Sequence, residues 1–308
     1  MIRTLVFVLA VLALVIAPTV APWLEFVLTI AIAKGFAALG VAILLRAGLI
    51  SIGHAMFFAI SAYGVAFFAG SGISDFGILL VLSVVVAGMA GAVVGAFLVR
   101  YRAIFFAMLN LAVSMVFYAL FAKLYGITGG TDGMPVPVPH VFGLALSEPA
   151  FKNVLFYGSV ALMVLVGFLV HRYLDSPLGH ALSAVHTNEV RLEYLGVPVW
   201  AVLLVAYVLS AMLAGIGGAI SAFAIGRVVP DFAFWTASGH LVLVAVFGGI
   251  GGVPGAFIGA LFLELLHTKA AAYTDAWNLI VGATLIAVIM FLPKGLYGLF
   301  SRSEVSAQ

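Results

Sequence analysis

The chain contains no cysteine. Disulfides, zinc–thiolate sites, iron–sulfur clusters and thiol catalysis are thereby excluded. Charge is also scarce: 8% of the 308 residues are Asp, Glu, Lys or Arg, where a soluble domain carries roughly a quarter. The formal net charge is only +2, and no Lys/Arg cluster is interleaved with aromatics as a nucleic-acid surface requires. A phosphate-binding P-loop needs Gly-Lys followed by Ser or Thr. Lys34, Lys123, Lys152, Lys269 and Lys294 all lack that context, so any ATP chemistry must reside in another polypeptide. Neither Gly-x-Ser-x-Gly nor His-Glu-x-x-His occurs, and Glu264 and His267 have no further metal ligand grouped with them in the sequence. The residues offer no catalytic set, no metal site and no cofactor site.

What is present is apolar. Hydrophobic residues make up 65% of the chain, and the mean hydropathy is +1.30. Apolar runs of about 15–22 residues recur, the length that a bilayer demands of a helix. Val81 to Val99 and Val199 to Phe223 are apolar on every face, which fits helices and not the alternating strands of a barrel. The fold class expected is an all-α polytopic membrane protein, one transmembrane domain over residues 1–308. Ten spans are expected near 4–17, 24–45, 52–70, 77–99, 104–121, 153–171, 199–223, 236–250, 253–267 and 276–292. The eighth and ninth flank a Gly248–Gly255 stretch and read equally as a helical hairpin, a broken helix or two crossings. Met1 to Ala21 reads as a first span or signal anchor, because Pro22 is a poor cleavage context.

Positive charge sets the orientation. With the N-terminus inside, Arg3, Arg46, Arg100, Arg102, Arg172, Arg191, Lys294 and Arg302 fall on inner segments, and Lys123, Lys152, Arg227 and Lys269 on outer ones. Both termini are then cytoplasmic. The outer loop 122–152 carries Thr128-Gly129-Gly130-Thr131-Asp132-Gly133. The inner loop 172–198 reads as a short amphipathic helix, capped by Asp175 or Ser176, with Pro177 in its first turn. Ala181, Leu182, Val185, Val190 and Leu192 would supply its apolar side, and Gly196 would end it. Ser51-Ile52-Gly53-His54 and Ser238-Gly239-His240 occupy the positions that an inverted five-span repeat would relate.

The inner loop also carries a resemblance. Ser176, Pro177, Gly179, Ala181, Leu182, Ala184, Asn188, Glu189, Leu195 and Gly196 match a cytoplasmic loop that reads Ser-Pro-x-Gly-Arg-Ala-Leu-x-Ala-Ile-Arg-x-Asn-Glu and later Leu-Gly. That loop is the signature of the branched-chain amino-acid permease family of ABC importers. Leu49 to Tyr63, Thr128 to Met134, Gly248 to Gly251 and Leu292 to Leu296 are similar to further family motifs, in the same order. The resemblance implies the ten-span importer fold with an inverted repeat. It also implies partners: two separate ABC ATPase subunits that hold the ATP, a second related permease subunit, and an extracytoplasmic solute-binding protein, all in or at a bacterial inner membrane. The expected cargo is a branched-chain amino acid, or a relative such as urea or a short amide, moved by alternating access. Gly179, His180, Ala181, Leu182, Ala184, His186, Asn188, Glu189, Glu193, Leu195 and Gly196 would form the ATPase-coupling loop. The chain departs from the family where basic residues are usual, with His180, Ser183 and His186 instead. Those histidines are open to two readings, a pH-sensitive contact or drift at a tolerant interface.

Other residues carry open alternatives. Lys34 falls near the middle of the second span, where a charge costs roughly 2.5–3.5 kcal/mol and faces protein or water. It either lines the path or pairs structurally with Glu264, which itself fits the outer interface equally well. Ser51, Gly53, His54 and Asn110 are path candidates or inter-helix packing and hydrogen-bonding positions. Thr128, Gly129, Gly130, Asp132 and Gly133 either meet a ligand or docking protein on the outer side or simply close a turn. Gly88/Gly91/Gly95, Gly215/Gly218 and Gly255/Gly259 put small residues on single helix faces, for close packing. A stand-alone ion-coupled carrier using Lys34, Glu264 and His54 as a relay is the rival reading.

Overall fold

The computed structural model describes residues 12–19, 21–249, 251–274, 276–291 and 295–298. The described part is helical, with one two-residue strand pair. Residues 12–19 are helical; the rest of the expected first span lies outside the described residues. Ten longer helices follow: α1 (Trp23–Arg46), α2 (His54–Gly70), α3 (Phe76–Leu98), α4 (Ala103–Lys123), α5 (Glu148–Leu174), α6 (Pro177–Tyr194), α7 (Val199–Ile225), α8 (Trp235–Gly248), α9 (Val253–Tyr273) and α10 (Trp277–Phe291). Six of them (α1, α3, α4, α5, α7 and α9) are long and apolar enough to cross a bilayer; α2, α8 and the Leu279–Val288 part of α10 are shorter apolar helices.

Sequence signals explain the boundaries. Asp75 accepts hydrogen bonds from the backbone N–H of Gly77 and Ile78 at 2.9 and 3.1 Å and starts α3. Prolines occupy the first turns of α5, α6 and α9, where a missing N–H costs nothing. Gly226 adopts φ +73° and ends α7.

The bundle is organised around α1 and α7, which pack on each other over most of their length; α2 and α3 cover α7, and α9 covers α1. The interior of α1 is almost wholly buried. Lipid is as apolar as leucine, so close van der Waals packing, rather than water exclusion, holds such helices together. Small residues make that packing possible. A Cβ on Gly40 would stand 2.5 Å from the Ser210 carbonyl oxygen, and one on Gly91 2.5 Å from the Ala211 Cβ. α8 and α9 fold back on each other as a hairpin: a Cβ on Gly259 would stand 2.5 Å from the Val244 carbonyl oxygen.

Two helices begin inside the bundle. After α1 the chain runs non-helically through 47–53 and returns inward, so that a Cβ on Gly53 would meet the Asn110 carbonyl oxygen at 2.5 Å, about seven residues or roughly 10 Å along α4. On the opposite side, β1 (Met134–Pro135) pairs antiparallel with β2 (Arg227–Val228). The chain then dips inward until Ser114 of α4 donates a hydrogen bond to the Ala233 carbonyl at 3.0 Å. The two short helices that follow these segments, α2 and α8, touch: the Ser238 hydroxyl accepts the Ala55 backbone N–H at 3.0 Å.

Candidate functional site

The starts of α2 and α4 and the middle of α7 enclose a polar network that is fully buried. His54 sits at its centre. Its Nδ1 lies 2.6 Å from the Ser51 hydroxyl and its Nε2 2.9 Å from the Ser210 hydroxyl. Asn110 Oδ1 accepts from the Tyr207 hydroxyl at 2.6 Å and the Ser51 hydroxyl at 3.3 Å, while its amide donates to the Phe106 carbonyl at 2.9 Å. Gly53 supplies the room that lets Asn110 approach. The sequence-derived candidates Ser51, Gly53, His54 and Asn110 are therefore brought together, and each is engaged within the protein. Tyr207 and Ser210 were not foreseen, since a Tyr and a Ser inside an apolar run give no spacing signal. Buried polar groups in lipid must find such partners.

Lys34 is held elsewhere. Its Nζ lies 2.7 Å from Glu264 Oε2, with the two side chains 29% and 9% exposed. Both residues sit near the middle of their helices, α1 and α9, so Glu264 is an interior partner and not an outer-interface residue. His267 Nδ1 stands 4.0 Å from the other Glu264 oxygen. Among the described residues no group of three or more His, Cys, Asp or Glu is placed to hold a metal.

The helix α6 is built as an arm. Ser176 is its N-cap, accepting from Gly179 N at 3.4 Å. A Cβ on Gly179 would stand 2.5 Å from the Tyr173 carbonyl oxygen and strike that of Leu174, so glycine alone lets α6 fold tightly off the end of α5. Gly179, Leu182, Val185 and Leu192 are buried, and Ala181 and Ala184 are partly so. Val190 is not: 58% of it is exposed, contrary to the expected apolar side. The helix breaks at Asn188, where φ is −162° and ψ 97°, yet Leu192 stays on the buried side with Leu182 and Val185; Val190 stands about 140° round the helix from Val185 and falls off that face. His180, His186, Asn188, Glu193, Leu195 and Gly196 are exposed. His180 Nδ1 lies 2.9 Å from the Ser176 carbonyl, and His186 lies against Gly48, just past the C-terminal end of α1. Glu189 turns inward, accepting from Arg102 Nε at 2.9 Å and Nη2 at 2.6 Å. Arg102, in the short turn between α3 and α4, was read from the sequence only as an inner-side charge.

The Thr128–Gly133 segment is a turn. The Thr128 hydroxyl donates to the Phe121 and Leu124 carbonyls at 2.6 and 2.9 Å and accepts Gly130 N at 3.4 Å. Gly129, Gly130 and Gly133 have φ of +70°, +56° and +70°, the left-handed region that glycine adopts without strain. Asp132 is exposed and accepts from the Tyr125 hydroxyl at 3.2 Å, while its carbonyl accepts from Arg227 at 2.9 Å. These bonds tie the turn to β2.

Residues 23–289 match the family model "Branched-chain amino acid transport system / permease component". The high-affinity branched-chain amino acid transport system permease protein LivM of Escherichia coli (strain K12) is 27% identical over 270 residues, covering 81% of this chain and 64% of LivM. The chain thus spans just under two thirds of the LivM length. LivH of the same strain is 27% identical over 277 residues, covering 84% and 87% of the two chains. The autoinducer 2 import system permease protein LsrC of Klebsiella pneumoniae is 32% identical over 179 residues, covering 53% and 48%. With the family model covering most of its length, this multi-pass membrane chain belongs to the branched-chain amino acid transport permease family, that of ABC-transporter permease subunits.

Proposed function

We propose that the chain is the membrane-spanning subunit of an ATP-driven importer, carrying a branched-chain amino acid or a related small polar solute by alternating access. The observation that carries this reading is α6. It is an exposed, capped arm joined to α5 through Gly179 without slack, and it packs against α5, α7 and the end of α1. An arm outside the bilayer that is anchored to the spans is what an external motor needs in order to move them. The family supplies the motor's identity: ABC ATPase subunits on the inner side, with a second permease subunit beside the chain and a solute-binding protein outside. The exposed residues His180, His186, Glu193 and Leu195 form the face offered to the ATPase, and the turn at Thr128–Gly133 lies on the binding-protein side.

Loop pairings support ten crossings with both termini cytoplasmic. Gly48 meets His186 and Arg102 meets Glu189, all on segments read as inner. Met134–Pro135 pairs with Arg227–Val228, and Phe76 N bonds the His140 carbonyl at 2.8 Å, all on segments read as outer. α2 and α8 starting inside the bundle from opposite sides, with Ser238 on Ala55, fits an inverted repeat. No bond-making chemistry is assigned to this chain.

The cargo assignment follows the relatives: LivM and LivH are named for branched-chain amino acids, and LsrC for autoinducer 2. The ion-coupled rival is less favoured, because the ring nitrogens of His54 are engaged by Ser51 and Ser210 and not by Lys34 or Glu264. Uptake of labelled leucine, isoleucine, valine and urea by cells with and without the chain tests the cargo. Loss of uptake of at least one branched-chain amino acid on deletion is expected. Unchanged uptake of all three would reject that cargo.

A further inference from the structure

Two backbone irregularities face each other at the inner end of the bundle. α6 breaks at Asn188, whose Oδ1 accepts from Arg191 N at 3.0 Å and restarts the helix. Opposite it, Ala103, the first residue of α4, has φ +51°, a left-handed conformation uncommon for a residue with a side chain. The Arg102–Glu189 pair lies between these two points. Arg102 Nε and Nη2 hold both Glu189 oxygens, at 2.9 and 2.6 Å. Its Nη1 donates to the Tyr101 carbonyl at 3.0 Å and to the Val99 carbonyl. One planar guanidinium thus joins the end of α3, the α3–α4 turn and the second half of α6. A bidentate fork fixes direction as well as distance.

The pair is about one-third exposed on each side, where water screening leaves an ion pair little static worth. Its geometry has a clearer use. The first half of α6 is fixed to α5 at Ser176 and Gly179. Beyond the Asn188 break the second half has lost helical continuity with the first, and the fork ties it to α4. That helix carries Asn110 of the buried network and Ser114, which holds the inward-dipping 230–233 segment. Displacement of α4 therefore reaches both the centre of the bundle and the start of α8.

We propose that Arg102 is a positioning residue, forming with Glu189 a strut that makes the second half of α6 and the start of α4 move as one body. This deepens the importer reading and rests on it: a push on α6 by the ATPase passes through Glu189 and Arg102 into α4. Glu189 then faces the permease itself and not the motor.

The absence of cysteine makes the test clean. Spin labels at Tyr194→Cys on α6 and Phe105→Cys on α4, both exposed positions, report the distance between the two bodies by pulsed electron resonance. The complex is purified from membranes with its co-purifying ATPase and measured without nucleotide and with ATP plus vanadate. With the strut intact, one narrow distance is expected in both states. Arg102→Gln should broaden it and separate the two states by about one helical turn, ~5 Å, while ATP hydrolysis stays within about twofold. Glu189→Gln leaves the Arg102 bonds to the Val99 and Tyr101 carbonyls in place and should broaden the distance in the same way, which misfolding of the α3–α4 turn would not explain. A narrow, state-independent distance in Arg102→Gln or in Glu189→Gln overturns the strut. Isolation of the chain without any ATPase would instead count against the importer reading, and the nucleotide-free distances would still decide the strut. If Arg102→Gln fails to assemble, Glu189→Gln removes the same fork and is read in the same way.

Discussion

Glu264→Leu is expected to destabilise the bundle by roughly 3–5 kcal/mol, because it strands the Lys34 ammonium near mid-membrane without its counter-charge. The pair is short, at 2.7 Å, and largely enclosed, so little solvent screening softens the loss. Combining Lys34→Met with Glu264→Leu should recover most of the stability, since the desolvation cost of both charges disappears together. Thermal unfolding in detergent, followed by size-exclusion fluorescence, reads the difference. Glu264→Leu as stable as the parent, or the double variant as weak as the single one, would contradict a structural pair. The same double variant addresses the path: transport retained after both charges are removed would take Lys34 out of the translocation route.

Gly218→Ala should be nearly as severe, at roughly 3 kcal/mol, the upper end of the ordinary cost of overpacking. An added Cβ there would stand 2.7 Å from the Phe58 carbonyl carbon and 3.0 Å from its Cα, and would strike the carbonyl oxygen. These are backbone atoms of α2 and have no rotamer by which to yield. Moving α7 away is no remedy, since its neighbour Gly217 sits equally close to the Ala33 carbonyl of α1. Gly158→Ala in α5 is the matched control, because its Cβ would meet nothing within 4 Å. It should be neutral or stabilising by about 0.5–1 kcal/mol, the helix-interior difference between the two residues. Equal effects of the two substitutions would remove close backbone approach as the basis of the α2–α7 seam.

Much of this architecture is legible in the sequence, for physical reasons that apply to lipid-embedded chains. Backbone polar groups must be satisfied within each segment, so long apolar runs become helices such as α1, α3, α4 and α7 with little competition. The α6 arm was legible because Ser176, Pro177 and Gly196 each act locally, on a cap, a first turn and a stop. Its second half was not. Val190 is apolar, yet it stands about 140° round the helix from Val185, off the face that Leu182, Val185 and Leu192 share. Glu189 falls at the helical spacing of the buried Val185 and Leu192, but its partner Arg102 is distant in sequence, and only the fold selects it. Tyr207 and Ser210 were invisible for a similar reason. Their roles depend on which side chains α2 and α4 bring to the middle of α7, and nothing in the local pattern of an apolar helix encodes that. Lys34 and Glu264 lay between these cases: the cost of a charge in lipid demands a partner, but only the packing of α1 on α9 selects it.

If this chain supplies the pathway and the α6 lever, ATP is hydrolysed by a separate subunit docked on that lever. The most direct test is to purify the tagged chain from native membranes in mild detergent and assay ATP hydrolysis, beside a Gly179→Val variant whose α6 is displaced by the Leu174 and Tyr173 carbonyls. The account predicts a co-purifying P-loop ATPase with vanadate-sensitive turnover, lost or strongly reduced in Gly179→Val. A chain that always purifies alone, and that moves solute in liposomes under a proton or sodium gradient without ATP, would contradict it.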